Sequence, residues 1–548
     1  MSNAVNASVS GLMAFKRAID VHSQNVANVN TAGYVRRTVE MENRPGAGAA
    51  GVVVGSGVEV ARVRRLVNEY LIDQSRTARS AAGRAEVLAE KSAQVNSLIS
   101  PDSSSIQDAM VSLRDAFDAL ASQPTSSFAR DTVMSRLDTT IAQFKDLDSR
   151  LQAYDREISG RIAGEVDSIN GLVDQIAKLN RQIATSNTTS AGENPALLDA
   201  RDRSLDELSK KVALRVLPIE NGMVSLSMMN GRNLLTGLET YALVAIPDSF
   251  EPDRLKVGIK SETGIEDLLN QFGGGSLAGL LDTRSQLIDP TRNELGRVAV
   301  GLASLLNSQN KLGTTLTGAV GGNLLNTGSP VVLGHPSNAG SASFTPSIDD
   351  ATKLMAQDYS IERDGTGWIV KRASTQESVA TTGSGTGADP LRFEGLSLVA
   401  SGVPAAGDRF LLRPTRDAVA GFALAFSSGN AIAAAKAGSI AGSGDNTNAL
   451  ALAAVFDKVS FDDSQRSVRG ILERLAGRVA STADSSQLSL EVQALSAEEA
   501  QSERDNMSAV NLDEEAAELL RYQQAYQAAA QVMRTSNELF DTLLGAVR

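Results

Sequence analysis

Residues 28–37 read NVNTAGYVRR and directly follow an amphipathic segment that begins near the first methionine. Asn28, Asn30 and Gly33 are residue types that tolerate a left-handed backbone, so they favour a helix end followed by a turn. The stretch also holds Thr31, one aromatic ring at Tyr34 and two arginines, but no nucleophile–base pair and no metal-ligand set. We therefore expect it to shape the chain rather than to carry out a reaction.

The segment before this turn has the side-chain spacing of a helix with one packing seam. From Val5 the seam advances in alternating steps of three and four residues, through Ser8, Leu12, Phe15, Ile19, His22, Val26 and Val29. We expect His22 to occupy a surface-leaning position on this seam.

The end of the chain carries a second seam of the same kind. It consists of Leu512, Leu519, Tyr522, Tyr526, Ala529, Met533, Ser536, Phe540, Leu543 and Val547. A single helix of this type is marginally stable, because the burial of its seam barely offsets the lost conformational entropy. We therefore expect the two ends to pair, and to become fully ordered only against neighbouring copies or a partner.

The charges of the two ends support this pairing. Residues 1–65 hold eight Lys or Arg and four Asp or Glu, whereas residues 498–518 hold eight Asp or Glu and one Arg. Opposite charge favours association of the two segments, although each solvated ion pair adds little.

The composition excludes several classes of protein. The 548 residues suggest two to four domains, and a hydrophobic fraction of 42% is sufficient for real cores. The absence of cysteine excludes disulfides, thiol catalysis and Cys-based metal sites, and two histidines exclude a His-rich site. A net charge of −12 argues against non-specific nucleic-acid binding. No run of 18 apolar residues and no signal-peptide pattern occur, so we expect no membrane insertion and no cleaved export signal.

The interior of the chain alternates between helical and strand-like patterns. An apolar stripe over residues 137–183 predicts a helix far longer than globular enzymes normally contain, and hence a rod-shaped domain. Asn-Gly pairs at 221–222 and 230–231 predict hairpins. Further helices are predicted over 66–100, 106–120, 197–212 (opened by Asn194-Pro195), 276–311 (kinked or interrupted at Pro290) and 416–439.

These patterns predict a mainly α fold with a β insert (α+β), arranged as a nested multidomain rod. Its parts are terminal coiled-coil helices, a long helical bundle and a small β-rich inserted domain. We expect a terminal-helix domain from residues 1–38 and 505–548, and an elongated mainly helical domain from 39–340 and 416–504, with a β-hairpin region near 213–260. Residues 341–415 would form the inserted β-rich outer domain.

No motif in the sequence points to catalysis or to a cofactor. The glycine-rich stretch 273–279 lacks the Gly-Lys-Ser/Thr of a phosphate loop and is expected to be a loop before a helix. Residues 102–108, DSSSIQD, lack the ligand spacing of a calcium loop. Asp513, Glu514 and Glu515 are expected to open a helix, where carboxylates favour the helix dipole. We therefore expect no enzyme activity, no cofactor and no metal.

Both ends resemble a known family. The pattern of Asn25, Ala27, Asn28, Asn30, Thr31, Gly33, Tyr34 and Arg36 resembles the N-terminal signature of bacterial flagellar axial proteins, which rod, hook and hook-associated proteins share. Residues 508–548, SAVNLDEEAAELLRYQQAYQAAAQVMRTSNELFDTLLGAVR, are similar to the ending of the hook-associated protein 1 family. The stretches LLDARDRSLDELSKKV and GSLAGLLDTRSQLIDPTRNELGRVAVGLASLLNSQN, at 197–212 and 275–310, agree with it.

The resemblance implies a structural protein that self-assembles on the distal end of the hook and connects it to the filament. The implied partners are further copies of the chain, the hook protein, a second junction protein, the type III export apparatus and an export chaperone on the C-terminal helix. The implied location is extracellular, at the hook–filament junction. The implied assembly residues are Val5, Leu12, Phe15, Ile19, Val26, Asn28, Val29, Asn30, Thr31, Gly33, Tyr34 and Arg36 at the N-terminus. At the C-terminus they are Leu512, Leu519, Tyr522, Tyr526, Met533, Phe540 and Leu543, which would also meet the chaperone.

Three alternatives remain at this stage. The superfamily also contains hook and distal rod proteins, although the length and the long helix argue against them. A lytic enzyme would need a catalytic pair in the β insert, where the carboxylates of Asp349, Asp350, Asp358, Glu362 and Asp364 show no convincing pairing. The insert could also be an adhesive surface module.

Overall fold

The computed structural model describes residues 2–31, 33–44, 55–99, 105–189, 194–262, 264–268, 272–462 and 465–547. The small and flexible residues 46–57 predict a loop, and the capping residues 100–105 predict a helix break; most of both segments lies outside these ranges. The helices are α1 (Ser2–Ala27), α2 (Glu69–Ile99), α3 (Ile106–Ser122), α4 (Ser127–Thr189), α5 (Pro195–Lys211), α6 (Gly275–Asp282), α7 (Asp289–Lys311), α8 (Thr447–Ala454), α9 (Val468–Ser508) and α10 (Leu512–Val547).

Strands pair in small antiparallel sheets between these helices. They are β1 (Arg37–Asn43), β2 (Val58–Arg65), β3 (Leu214–Pro218), β4 (Val224–Met228), β5 (Asn233–Thr236), β6 (Glu239–Thr240), β7 (Leu243–Pro247), β8 (Leu255–Ser261), β9 (Gly264–Asp267), β10 (Gly313–Thr314), β11 (Leu325–Asn326), β12 (Val331–Gly334), β13 (Ser343–Ile348), β14 (Tyr359–Arg363), β15 (Trp368–Arg372), β16 (Leu391–Phe393), β17 (Leu396–Ser401), β18 (Arg409–Arg413), β19 (Ala423–Leu424) and β20 (Ala435–Lys436). The predicted mainly α fold with β inserts is confirmed, and its long helices α1 and α10, and α2 and α9, pack together.

The long helix α4 forms the backbone of the main core. It contains 63 residues, which corresponds to about 95 Å at 1.5 Å per residue. The apolar stripe predicted from the sequence, from Leu137 to Ile183, is buried along its length apart from the half-buried Tyr154. Phe144, fully buried, meets Phe422 edge-on with ring centroids 5.3 Å apart. This stripe gives the helical part of the molecule its elongated core.

Local sequence signals set the turns as predicted. Asn221 and Gly222 take positive φ angles of 60° and 75° between β3 and β4, and Gly231 takes 83° between β4 and β5. Asn194 caps α5 by accepting a hydrogen bond from the amide of Ala196. The predicted interruption near Pro290 is a π-helical turn over Thr283–Ile288, after which α7 begins.

The β-rich part forms a separate core. One sheet has the order β12-β18-β14-β15 and the other β13-β17-β16. Phe344 lies between them and contacts Trp368 and Phe410 edge-on, with centroids 4.7 and 5.1 Å away. Because β12 pairs with β18, the first of these sheets begins at Val331, ten residues before the predicted boundary.

The predicted helix over 416–439 is wrong. Apart from the short strands β19 and β20 and a 3₁₀ turn, this segment has an irregular backbone held by side chains from elsewhere. The side chain of Asn310 accepts the amide of Ala433 at 2.8 Å, and Asn448 donates to the carbonyl of Ala433 at 2.6 Å. The buried guanidinium of Arg130 donates to the carbonyl of Ile432 at 2.5 Å. These tertiary hydrogen bonds replace the local ones that an alanine-rich helix would make.

A buried charge network lies where the β-rich part meets the helical part. Arg254 contacts Asp289 at 2.6 Å and Asp155 of α4 at 2.7 Å, and Arg416, just after β18, contacts Asp289 at 3.5 Å. Burial would raise the pKa of Asp289, but Arg416 and Arg254 outweigh it and lower the pKa to about 2. The network therefore stabilises the joint while Asp289 is ionised.

Among the described residues, no helix is long and apolar enough to cross a membrane.

Candidate functional site

The two ends of the chain form one antiparallel helix pair, α1 with α10. His22 faces Glu515, the rings of Phe15 and Tyr522 are 6.3 Å apart, and a Cβ at Gly11 would lie 3.9 Å from the Cβ of Ala529. As the residue number falls along α1, it rises along α10. The predicted pairing of the two terminal seams is therefore present within one copy of the chain.

The buried line of α1 differs from the predicted one. Ala14, Ala18, Val21 and Asn25 form a buried line that is also spaced by three and four residues, and of the predicted seam only the polar members Ser8 and His22 are buried with it. The predicted seam residues Val5, Leu12, Phe15, Ile19 and Val26 lie beside this line and are half-buried. The reason is that α1 packs on the β1–β2 hairpin as well as on α10, so its buried line lies between two neighbours.

A buried carboxylate, Glu515, lies at the start of α10, opposite the C-terminal end of α1. It is 0% exposed, and its Oε2 accepts Nδ2 of Asn25 at 2.9 Å and lies 2.6 Å from Nδ1 of His22. Its Oε1 accepts Nε of Arg36 at 2.6 Å, and the same guanidinium reaches Glu514. The imidazole of His22 also stacks on Tyr522, with centroids 5.4 Å apart. A single carboxylate from α10 thus binds both the C-terminal part of α1 and Arg36, the residue just before β1.

The turn after α1 closes on the same cluster. The hydroxyl of Tyr34 donates to Oδ1 of Asn25 at 2.9 Å, and Asn25 in turn donates to the carbonyl of Arg37. Burial raises the pKa of Tyr34, although the guanidinium of Arg37, 4.7 Å from its ring centroid, opposes this. The backbone amide of Arg36 donates to the carbonyl of Ser508, at the end of α9. The aromatic residue of the opening stretch therefore anchors the turn to the helix.

The other turn residues set the direction of the backbone. Gly33 has a φ of +72°, a conformation that favours glycine, and a Cβ there would lie 2.7 Å from Cγ of Arg203, whose exposed side chain would have to shift. Thr31 donates to the side chain of Asn28 at 3.2 Å. Val29 is half-buried, and Asn30 is exposed, with no part in the buried cluster.

The predicted residues of α10 divide into two groups. Leu519, Tyr522 and Met533 are half-buried on the side that faces α1. Leu512, Tyr526 and Phe540 are exposed. The side chain of Leu543 lies outside the described residues.

A second charged cluster ties the β1–β2 hairpin, on which α1 packs, to the helical core. Three aspartates of α5, at positions 199, 202 and 206, face arginines from the N-terminal hairpin, from α2 and from α9. Arg65 contacts Asp199 at 2.9 Å, and Arg504 of α9 contacts Asp206 at 2.7 Å. Burial would raise the pKa of Asp202, but Arg65 and the nearby α2 arginine outweigh it and lower the pKa. These ion pairs hold the β1–β2 hairpin and the end of α9 against α5, and so position the terminal pair on the helical core.

One prediction about this site is wrong, and another is correct but incomplete. His22 is buried and bonded to Glu515, not surface-leaning. Glu515 lies in the first turn of α10 as predicted, but its carboxylate binds His22, Asn25 and Arg36 in addition to facing the helix N-terminus. The α5 aspartates were not identified from the sequence, although their spacing of three and four residues places them on one helix face.

Within the described ranges, no group of three or more His, Cys, Asp or Glu side chains is positioned to hold a metal ion. The arrangement of side chains at the terminal pair binds helix to helix through packing, hydrogen bonds and ion pairs.

Four family models match separate parts of the chain. They are described as the flagellar hook-associated protein FlgK helical domain (residues 92–325), the flagellar hook-associated protein 1 D2-like domain (333–414), the flagellar basal body rod FlgEFG protein C-terminal (501–546) and the flagella basal body rod protein (6–34). The two rod-protein models thus cover the two members of the terminal pair.

Curated relatives extend the similarity to the full length. Flagellar hook-associated protein 1 of Escherichia coli K12 is 32% identical over 99% of this chain and 100% of its own length. The Salmonella typhimurium protein of the same name matches to the same extent, and that of Bacillus subtilis is 22% identical over 98% of this chain and 96% of its own.

One solved structure shares the fold. The flagellar hook junction protein FlgK from Burkholderia pseudomallei superposes with a TM-score of 0.72 at 23% identity, over 79% of this chain and 99% of that one. With the full-length relatives, these matches show that the chain belongs to the flagellar hook-associated protein 1 family, a family of structural rather than enzymatic proteins.

Proposed function

We propose that the chain is the junction protein that assembles on the distal end of the flagellar hook and connects the hook to the filament. Axial packing of the α1–α10 pair against neighbouring copies would form the joint. The observation that carries this proposal is that one helix pair holds both rod-protein matches and leaves much of its apolar surface uncovered.

The uncovered apolar side chains lie mainly on α10, because α1 covers only one of its faces. The exposed members on both helices are Met13, Leu512, Leu520, Tyr526, Val532, Leu539 and Phe540. Large apolar side chains grouped on one exposed helix pair are typical of a protein interface. Neighbouring copies, the hook protein and the second junction protein would cover them in the assembled flagellum.

The same surface fits a chaperone during export. Before assembly, the side of α10 that α1 leaves uncovered presents exposed apolar side chains, such as Tyr526 and Phe540, that fit the apolar groove of a partner. We propose that an export chaperone binds this face, that the type III export apparatus transfers the chain without a cleaved signal, and that the protein acts extracellularly.

A Phe540→Glu variant should lose chaperone binding and secretion, while Phe128→Glu on α4 should retain both.

We further propose that the three-part division of the sequence holds in the assembled protein. The terminal pair (1–38 and 505–548) would line the axis, the helical domain (39–340 and 416–504) would surround it, and the β-rich insert (341–415) would face outward. Val331–Gly334 would belong with the insert, because it pairs with Arg409–Arg413.

The test is a deletion of the gene, with flagella viewed by electron microscopy and flagellin assayed in the medium. Complete hooks without filaments, together with released flagellin, are the expected result. Absent or truncated hooks would instead assign the protein to the rod or hook, and normal flagella would refute a structural role. Complementation of the deletion then tests the terminal pair. The wild-type chain should restore filaments, whereas an Arg36→Glu chain should not.

A further inference from the structure

Outside the terminal pair, α9 presents an uncovered apolar face. Leu488, Val492 and Leu495 are 62%, 53% and 58% exposed and follow one another at steps of four and three residues. At 100° per residue they occupy one line along the helix. The opposite face of α9 packs on α2, for example through Ser92 and Ser486. The line therefore points away from the molecule's own core.

Carboxylates flank this line on the same face. Asp484, Glu491, Glu498, Glu499 and Glu503 are all exposed, and by helix geometry they share an arc of about 140° with the three apolar side chains. None of the five forms an ion pair within the described part of the chain. Residues 479–503 contain no Lys or Arg. A partner surface with apolar and basic side chains would therefore complement this face.

The outer face of α4 has the complementary character. Lys145 and Arg156 are exposed and form no ion pair among the described residues, whereas Asp146 on the same face is already bound to Arg150 at 2.8 Å. The segment 142–164 that carries them is about 33 Å long, close to the length of about 29 Å for 484–503. Opposite charges at a matched length favour contact between the two faces.

The surface that follows Arg156 along α4 is open. Gly160 and Gly164 are exposed on this face, and a Cβ at either position would meet nothing within 4 Å. An exposed helix glycine costs about 1 kcal/mol relative to alanine. Packing within the single chain thus does not require glycine at these two positions. The leucine side chains of another helix could pack against this surface without a steric clash.

We propose that the α9 face of one copy docks on the outer α4 face of a second copy, with Leu488, Val492 and Leu495 against the small residues of 142–164. This inference rests on the self-assembly proposed above and names a second contact for it, at a larger radius than the terminal pair. Because the two faces are different surfaces of one molecule, the contact is head-to-tail and adds copies in a ring or helix rather than in a closed dimer.

The chain has no cysteine, so engineered cysteines report this contact directly. Leu495→Cys is combined in one chain with Ser149→Cys, Ala153→Cys or Gly160→Cys, expressed in a strain without the native gene, and oxidised in isolated hook–filament complexes. At least one combination should give a ladder of covalent dimers, trimers and larger species. Leu450→Cys, from an exposed leucine of α8, replaces Leu495→Cys as the control and should give none.

The outcomes separate the two proposals. Assembled hooks that contain the variants, but give no ladder with any of the three combinations, would overturn the α9–α4 contact and leave the junction function intact. Absence of the wild-type chain from the hooks would instead refute the function itself.

A charge exchange tests the same contact without cysteine. Glu491→Arg with Glu498→Arg, or Lys145→Glu with Arg156→Glu, should lower the number of filament-bearing cells by about threefold or more, and the four changes together should restore it. The four positions are exposed, so the isolated variants should unfold at the wild-type temperature. Full assembly of both double variants would overturn the proposal.

Discussion

Replacing Glu515 by glutamine should release the C-terminal helix from the N-terminal segment without unfolding the rod. The amide keeps the size of the carboxylate but loses its charge, and Arg36 and His22 lose their anionic acceptor. A hydrogen bond to a charged group contributes about 1.5–3 kcal/mol, and Glu515 makes one to Arg36 that is largely shielded from water. We expect a loss of about 3 kcal/mol in the local stability of the pair.

Amide hydrogen exchange measures this loss segment by segment. Three kcal/mol corresponds to roughly a hundredfold fall in protection for residues 512–530 and for the N-terminal helix. Exchange along α4 should not change, because its core does not involve the terminal pair. The matched control is Glu514→Gln, which removes a carboxylate that also contacts Arg36 but is 57% exposed, and should change protection less than fivefold.

Equal effects of the two substitutions would refute the reasoning, because burial would then not decide the strength of the contact. Unchanged protection in Glu515→Gln would refute it as well. A double-mutant cycle with Arg36→Met completes the test, since the coupling energy should be large for Glu515 and small for Glu514.

Three further outcomes follow from the structure. The pKa of Asp289 is about 2, below the pKa of about 3.9 that an aspartate has in the unfolded chain. Its ionised form therefore stabilises the fold by about 2 kcal/mol above pH 3.9, and this contribution is lost as the pH falls through about 2. Acid titration of the unfolding free energy should show a slope that Asp289→Asn lacks. Gly33→Ala should destabilise the terminal pair by more than about 2 kcal/mol in exchange experiments, whereas Gly231→Ala, with positive φ but free space, should cost only about 1 kcal/mol in its hairpin. Phe144→Ala should lower the unfolding free energy of the rod by about 3–5 kcal/mol in urea, and Phe128→Ala, 80% exposed, by less than about 0.5 kcal/mol.

Elements whose residues form a periodic pattern could be predicted correctly from the sequence. The stripe of α4 and the Asn-Gly turns involve residues whose preference is local, so spacing alone predicts them. The segment 416–439 shows the limit of this approach, since its alanine-rich composition favours a helix. Two decisive partners, Asn310 and Arg130, lie 123 and 302 residues away in the sequence, and no local pattern includes them.

The contacts of Glu515 with the N-terminal segment could not be predicted from the sequence, for a related reason. Glu515 in the first turn of a helix has an adequate local explanation in the helix dipole, which gives no reason to search for another. Its partners lie 479 to 493 residues away. Likewise, the seam of α1 was placed on its large side chains, because a second neighbour, the β1–β2 hairpin, could not be inferred from the spacing of α1 alone.

The buried charges at this site determine register more than they add stability. A seam of small and half-buried apolar residues would tolerate a shift of α10 by one heptad, because the stripe repeats every seven residues. Such a shift would replace Glu515 by Ser508 or Tyr522, neither of which carries a carboxylate. Arg36, which is largely shielded from water, would then have no anion to contact, at a cost of several kcal/mol. Only one register therefore satisfies the cluster, and that register sets which apolar side chains of α10, such as Leu520 and Val532, face outward to meet the next copy.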